Sequence, residues 1–269
     1  MAQDIGRQDV GSGKSRRGLP VELGGALVTL VEPHAGHEVA YNRWYERDHF
    51  YAGCMLGAWT ISGARFVATR DLKELRSPDS TVAPDPLDGS YLSLYWIVGG
   101  KFGEWMDWGT RQVKWLIESD RMFPHRDHVH TVMYRFHSEI PGRDDGVPVE
   151  LALDHRSPSL VMAVIDRAEG TDSAAVAGWW AERDLGAEVT AVFDPVPMPT
   201  DAPADVPAER TADRTLLLAF VDHDVAETWA DRWAGIPADL AAAGLGSVAF
   251  LSPFKGTIPG TDTYADQLR

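Results

Sequence analysis

One segment from the first third of the chain returns, in part, 136 positions later. Arg43-Trp44-Tyr45-Glu46-Arg47-Asp48 is answered by Trp179-Trp180-Ala181-Glu182-Arg183-Asp184. Solenoid repeats have periods of about 20–50 residues, so a spacing this long indicates a duplicated domain. The surrounding elements repeat as well. Apolar, β-rich runs at 23–31, 59–69, 91–98 and 128–136 predict four strands, and helical spacing predicts helices over 37–55 and 102–117. Strands at 160–165, 187–193, 215–221 and 246–251, with helices at 173–184 and 225–243, repeat that order. Pro/Asp-rich loops at 77–89 and 195–211 fall in the same topological place.

Each half therefore reads β-α-β-β-α-β, the ferredoxin-like unit. A four-stranded sheet with both helices on one face leaves its other face bare, and two such sheets facing each other cover both. The predicted fold class is α+β: two ferredoxin-like βαββαβ units forming an intrachain α+β barrel of two facing antiparallel sheets. The expected layout is a disordered tail over 1–18, unit one over 19–140, a linker over 141–158 and unit two over 159–252. An extended tail over 253–269 is expected to wrap a neighbour.

A net charge of −15 repels phosphate backbones and excludes nucleic acid and anionic membrane as partners. The expected partner is a small hydrophobic molecule, and a second copy of the chain stays open. The lone Cys54 cannot form an internal disulfide and agrees with a reducing, cytoplasmic setting. Gly11-Ser12-Gly13-Lys14-Ser15 suggests a phosphate loop, but Gln8 stands where a glycine is needed. Ser15-Arg16-Arg17 ahead of 23–31 loosely matches an export signal, yet Glu22 and Glu32-Pro33 interrupt it.

Three groups of residues carry candidate chemistry. His37, Tyr41, Tyr45 and His49 follow at four-residue steps along the first helix, close enough in phase to share a cleft edge. His49 sits at the expected C-terminal end of that helix, where the dipole favours the imidazolium, so a pKa near neutrality is expected. Unit two carries Ala181 and Leu185 in place of Tyr45 and His49. Unit one is thus expected to hold the main pocket, with a smaller or filled one in unit two. In the run His125-Arg126-Asp127-His128-Val129-His130, strand alternation places His128, His130 and Tyr134 on one face, as acid/base groups. With His125 or Asp127 they form an alternative metal-ligand set. The third group is aromatic: Trp59, Trp96, Trp105 and Trp108 are expected with Tyr41 and Tyr134 to line a substrate pocket, against the default that tryptophans fill cores.

The segment Asn42-Arg43-Trp44-Tyr45-Glu46-Arg47-Asp48-His49, followed by Ser62-Gly63-Ala64-Arg65-Phe66, resembles the helix-then-strand signature of dimeric α+β-barrel proteins, particularly the EthD-related group. The resemblance covers about 23–70 and is topological beyond. It implies a superfamily that hosts cofactor-free monooxygenases, polyketide cyclases, dehydratases, lactone isomerases and haem-handling enzymes, most of them pairing two chains. The expected function is a cofactor-independent lyase, dehydratase, cyclase or isomerase of secondary metabolism. It would act on an aromatic, polyketide or terpenoid-like molecule through His49, Tyr45 and one of His128 or His130. A cofactor-free monooxygenase and a non-catalytic aromatic-ligand or haem-binding protein are the alternatives.

Overall fold

A computed structural model describes residues 21–77, 80–83, 85–142, 146–196 and 212–269. The phosphate-loop reading and the Ser15-Arg16-Arg17 part of the export reading fall outside these residues, whereas the apolar stretch 23–31 is described and is strand. Unit one runs β1 (Leu23–Pro33), α1 (Glu38–Trp44) continuing as a π-helical stretch (Tyr45–Met55), β2 (Thr60–Val67), the short α2 (Arg70–Lys73), β3 (Tyr91–Val98), α3 (Phe102–Glu118) and β4 (Arg126–Pro141). Unit two runs β5 (Ser159–Arg167), α4 (Ser173–Ala181), β6 (Ala187–Val196), β7 (Arg214–Val221), short 3-10 and π turns (Val225–Thr228, Trp229–Trp233), α5 (Ile236–Ala242) and β8 (Gly246–Gly256).

All neighbouring strands are antiparallel. Their order is β4-β1-β3-β2 in unit one and β8-β5-β7-β6 in unit two, the same order related by a pseudo-twofold axis. The two sheets do more than face each other. Their edges pair, β2 with β8 and β4 with β6, and close one eight-strand barrel with no free edge. The seams are unequal. β4 and β6 pair from Met133↔Val196 to Pro141↔Val189, whereas β2 and β8 pair only at Phe66↔Gly256 and Val67↔Lys255. Beside the short seam lies a cleft of about 580 Å³ bordered by Arg65, Asp154 and Thr257.

Period-two alternation sorts the strand residues into two layers. Ala26, Val28, Leu30, Leu92, Leu94, Trp96, Val132 and Tyr134 point into the barrel, where they meet Leu160, Met162, Phe193, Leu218 and Phe220 of unit two. Their neighbours Leu27, Tyr91, Tyr95, Ile97 and Met133 point outward, under the helices. Both faces of the strands are thus covered, which is why β1 and β3 read as nearly continuous apolar runs.

The linker is part of the core. Val149, Ala152 and Leu153 are buried in the barrel cluster, and the Trp96 indole donates to the Val149 carbonyl at 2.9 Å. The C-terminal residues 257–269 fold back over unit one. Asn42 donates to the Thr261 carbonyl at 2.9 Å, Arg43 pairs with Asp262, and Glu46 accepts from the Gly260 amide at 2.9 Å. Leu268 is buried, and its carbonyl accepts from the enclosed Lys73 ammonium at 3.0 Å. Among the described residues no helix is long and apolar enough to cross a membrane.

Candidate active site between the helices and sheet of unit one

The stripe of four-residue steps in the first helix survives because the helix changes its winding. An α turn takes 3.6 residues, so a step of four drifts forward around the axis. A π turn is wider, so the same step drifts back. The change occurs at Tyr45, and Tyr41, Tyr45, His49 and Gly53 all line one cavity above the outer face of β1 and β4. His37 stands outside that cavity, stacked on the exposed His125 at 3.8 Å. Its other walls are Leu27, Thr29 and Val31 of β1, Trp105, Met106, Gly109, Thr110 and Val113 of α3, and Met133 of β4. The cavity measures about 130 Å³. That is close to the ~150 Å³ of an apolar cavity able to hold benzene, so the space fits one aromatic ring. A haem, several rings across, does not fit between β1 and α3 in this arrangement.

His49 lies in the middle of a continuous helix, since winding continues to Met55, so the end-dipole argument does not apply to it. Its ring stacks on Trp44 at 4.5 Å and meets the edge of Tyr45 at 5.3 Å. Gly53 leaves room for it: a Cβ there would come within 3.0 Å of the imidazole. The expected near-neutral pKa is overturned. Burial first, then the charges of Arg126, His128 and Arg121, push it down to about 3, against a smaller opposing pull from Asp48. The imidazole is neutral, and its buried Nδ1 finds no hydrogen-bond partner among the described residues. Tyr45 lies beneath it and shares a 2.8 Å hydrogen bond with the Tyr95 hydroxyl. Burial raises the pKa of Tyr45 and lifts those of Tyr41 and Tyr95 well above the usual phenol value. Cys54, also in the wall, is a buried thiol pushed up to about 12 by desolvation, which removes it as a nucleophile.

The paired histidines do not share a face. Leu30 pairs with His130 but Val31 pairs with His128, so one extra residue, Val129, is bulged out of register. The bulge turns His128 outward into the cavity and leaves His130 inside the barrel. There the His130 ring shares a 2.8 Å hydrogen bond with Tyr134, and burial pushes its pKa to about 3. The same bulge puts Arg126, His128 and Thr131 on one face. Arg126 Nη2 donates to His128 Nε2 at 3.2 Å, and His128 Nδ1 donates to Thr131 Oγ1 at 2.8 Å. Arg126 also lies over the Trp44 ring at 5.7 Å. Arg126, Thr29 and Thr131 are site residues that the sequence reading passed over. The signal for Arg126 was its place two residues before His128 in an extended strand.

The expected aromatic lining divides in the same way. Tyr41 and Trp105 reach the cavity. Trp108 packs behind Trp105 at 6.0 Å. Trp96 and Tyr134 are barrel core, and Trp59 is on the surface with Lys101 over its ring at 4.5 Å. The alternative metal set does not converge, because His125 is exposed while His128 and His130 lie on opposite faces. Among the described residues no group of three or more metal-ligating side chains is placed to hold an ion.

In unit two the space between helices and sheet is filled by Trp180, Trp229 and Trp233. Unit two is not closed everywhere: an open polar groove of about 600 Å³ lies at the end of α4, bordered also by Ile140, Pro141 and Gly142.

No family model matches the chain, and no curated protein matches it. Among solved structures it is similar to an anthrone oxidase-like protein, at 9% identity over 90% of this chain and 98% of that one, with a TM-score of 0.54. A chlorite dismutase-like protein aligns at 10% identity over 92% of this chain and all of the other, with a TM-score of 0.49. At 9% identity the likeness to the first of these carries the fold alone and leaves the chemistry to the site.

Proposed function

We propose that the chain is a cofactor-independent enzyme that moves a proton on a small, flat, hydrophobic molecule bound in the unit-one cavity. The carrying observation is His49, a neutral imidazole with a buried nitrogen unpartnered among the described residues, at a ring-sized space with Arg126, His128 and Thr131 on its β4 side. A substrate carbonyl or phenol oxygen placed against that wall gains negative charge as a proton leaves the adjacent carbon. Arg126 and the His128–Thr131 chain stabilise that oxyanion. The same negative charge offsets the cations that depress His49, so its basicity rises when substrate is bound and the imidazole becomes the proton acceptor. Tyr45 and Tyr95 stay protonated and serve as donors. This chemistry belongs to the lyase, dehydratase, cyclase or isomerase classes.

A second reading has a specific motive. A carbanion or phenolate formed among Leu27, Val31, Trp105, Met106 and Met133 is shielded from water, the setting in which it can pass electrons to dioxygen. The fold is shared with an anthrone oxidase-like protein, which makes an aromatic ketone the first substrate to assay. The test is deuterium wash-in from D₂O at the carbon next to the carbonyl, across one- to three-ring ketones and phenols, with oxygen uptake recorded in parallel. Exchange in the native chain and not in His49→Ala is expected. Exchange undiminished in that variant sinks the assignment of His49. A Soret band on adding haem would move the site to the binding-protein class.

A further inference from the structure

The unit-two groove contains an arrangement that the unit-one chemistry does not use. His223 Nδ1 lies 2.9 Å from Asp222 Oδ1, and His223 Nε2 lies 2.9 Å from Thr228 Oγ1. Asp222 can only accept, and in the tautomer that donates to it from Nδ1 the ring presents its Nε2 lone pair to the Thr228 hydroxyl. The other contact of that hydroxyl, the Val225 carbonyl at 3.4 Å, is too long to compete. All three residues border the 600 Å³ groove, and both His223 and Thr228 are partly exposed there. Gly186 brings a cation to the same place. Its φ is +70°, and a Cβ on it would stand 2.5 Å from Arg232 Nη1 and 2.8 Å from His223 Cε1, so guanidinium and imidazole meet over one glycine. Among the described residues Arg232 keeps a 3.7 Å ion pair with the exposed Asp184, leaving donors for another acceptor. Trp180 forms part of the wall, and its buried indole N–H has no partner among the described residues.

We infer that Thr228, His223 and Asp222 form a second, nucleophilic site, which cleaves small neutral carboxylic esters. A hydroxyl, a base in the accepting tautomer and a carboxylate that orients the base are the parts such chemistry needs. Arg232 stands where a developing oxyanion can be stabilised. Asp184, Glu188 and Glu227 on the rim repel anionic esters, which selects neutral ones. In the first step Thr228 Oγ bonds to the acyl carbon and its proton passes to His223 Nε2. The carbon–alkoxide bond then breaks, and the alcohol leaves with that proton. Water, deprotonated by the same Nε2, releases the carboxylic acid and restores Thr228.

A simple latch for the Val225–Thr228 turn would show the same two hydrogen bonds, so the test must read nucleophilicity. The native chain is incubated with a fluorophosphonate, which loses fluoride to an activated hydroxyl, and the adduct is located by peptide mass spectrometry. An adduct on Thr228 is expected. His223→Gln slows its formation at least tenfold, and Thr228→Ser, which keeps hydroxyl and turn, retains it. Hydrolysis of p-nitrophenyl acetate falls by roughly a hundredfold in His223→Gln and Thr228→Val. No adduct at Thr228, an equal labelling rate in His223→Gln, or loss of labelling in Thr228→Ser each overturns the proposal.

Discussion

Units one and two have the same strand order and helix placement, yet one keeps a space between helix and sheet and the other does not. Trp44 and Trp180 occupy corresponding positions. In unit one Trp44 is held at the rim, its indole donating to the Arg121 carbonyl at 2.8 Å, and Tyr45 and His49 follow it beneath the helix. In unit two Trp180 goes fully inside, 6.1 Å from Trp233, and Leu185 packs where His49 has its counterpart. The comparison teaches that hollowness is set by a few side chains under the first helix, not by the topology.

The largest expected effect tests the filled half. Trp233→Ala or Trp180→Ala should cost about 3–5 kcal/mol, the usual range for emptying a buried Trp site, whereas Trp44→Ala should cost less than about 2 kcal/mol. Chemical denaturation measures both, and equal losses would break the contrast. Next comes His49→Ala, which should lower turnover on the true substrate by roughly a hundredfold. Its melting temperature should barely move, because the imidazole has an unpartnered nitrogen and packs against a cavity.

A third prediction uses pH. His49 and His130, both in unit one, have folded pKa values of about 3 against an ordinary ~6.5. The unfolded chain takes up these protons first. Their contribution is therefore complete above pH ~6.5 and is lost as pH falls through that value towards 3. From pH 7 to pH 5 the native chain should lose on the order of 2 kcal/mol per histidine, and His49→Gln with His130→Gln should flatten the profile. A flat native profile would contradict the burial described for both rings. The smallest effect is expected from Gly53→Ala, whose methyl would press on the His49 imidazole. It should weaken binding of a one-ring ligand by about tenfold, near 1.4 kcal/mol, with little change in stability. Isothermal titration reads this directly.

The element order was legible in the sequence because apolar, β-rich runs alternate with stretches of helical spacing, and the 43–48 and 179–184 segments mark the duplication. Burial on both faces hid which alternate residues enter the barrel, so Trp96 and Tyr134 read as pocket residues when they are core. The bulge at Val129 has no Gly or Pro to announce it, and it reassigns His128 and His130 to opposite sides of the sheet. The π winding at 45–55 is equally silent, and it moves His49 from a helix end to a helix middle. Tyr41, Tyr45, His49 and Trp105 do line the cavity, because their spacing along single helices sets where they lie whichever way the strands are turned.

The buried linker has a consequence for how this barrel responds to dilution. A barrel assembled from two separate chains falls apart as protein concentration drops, because each half must find another by diffusion. Here residues 142–158 join the halves and their own Val149 and Leu153 enter the shared core, so the partner is present at a fixed effective concentration. Closure of the β4–β6 and β2–β8 seams then follows first-order kinetics, and the midpoint of unfolding should be the same at nanomolar and at millimolar chain.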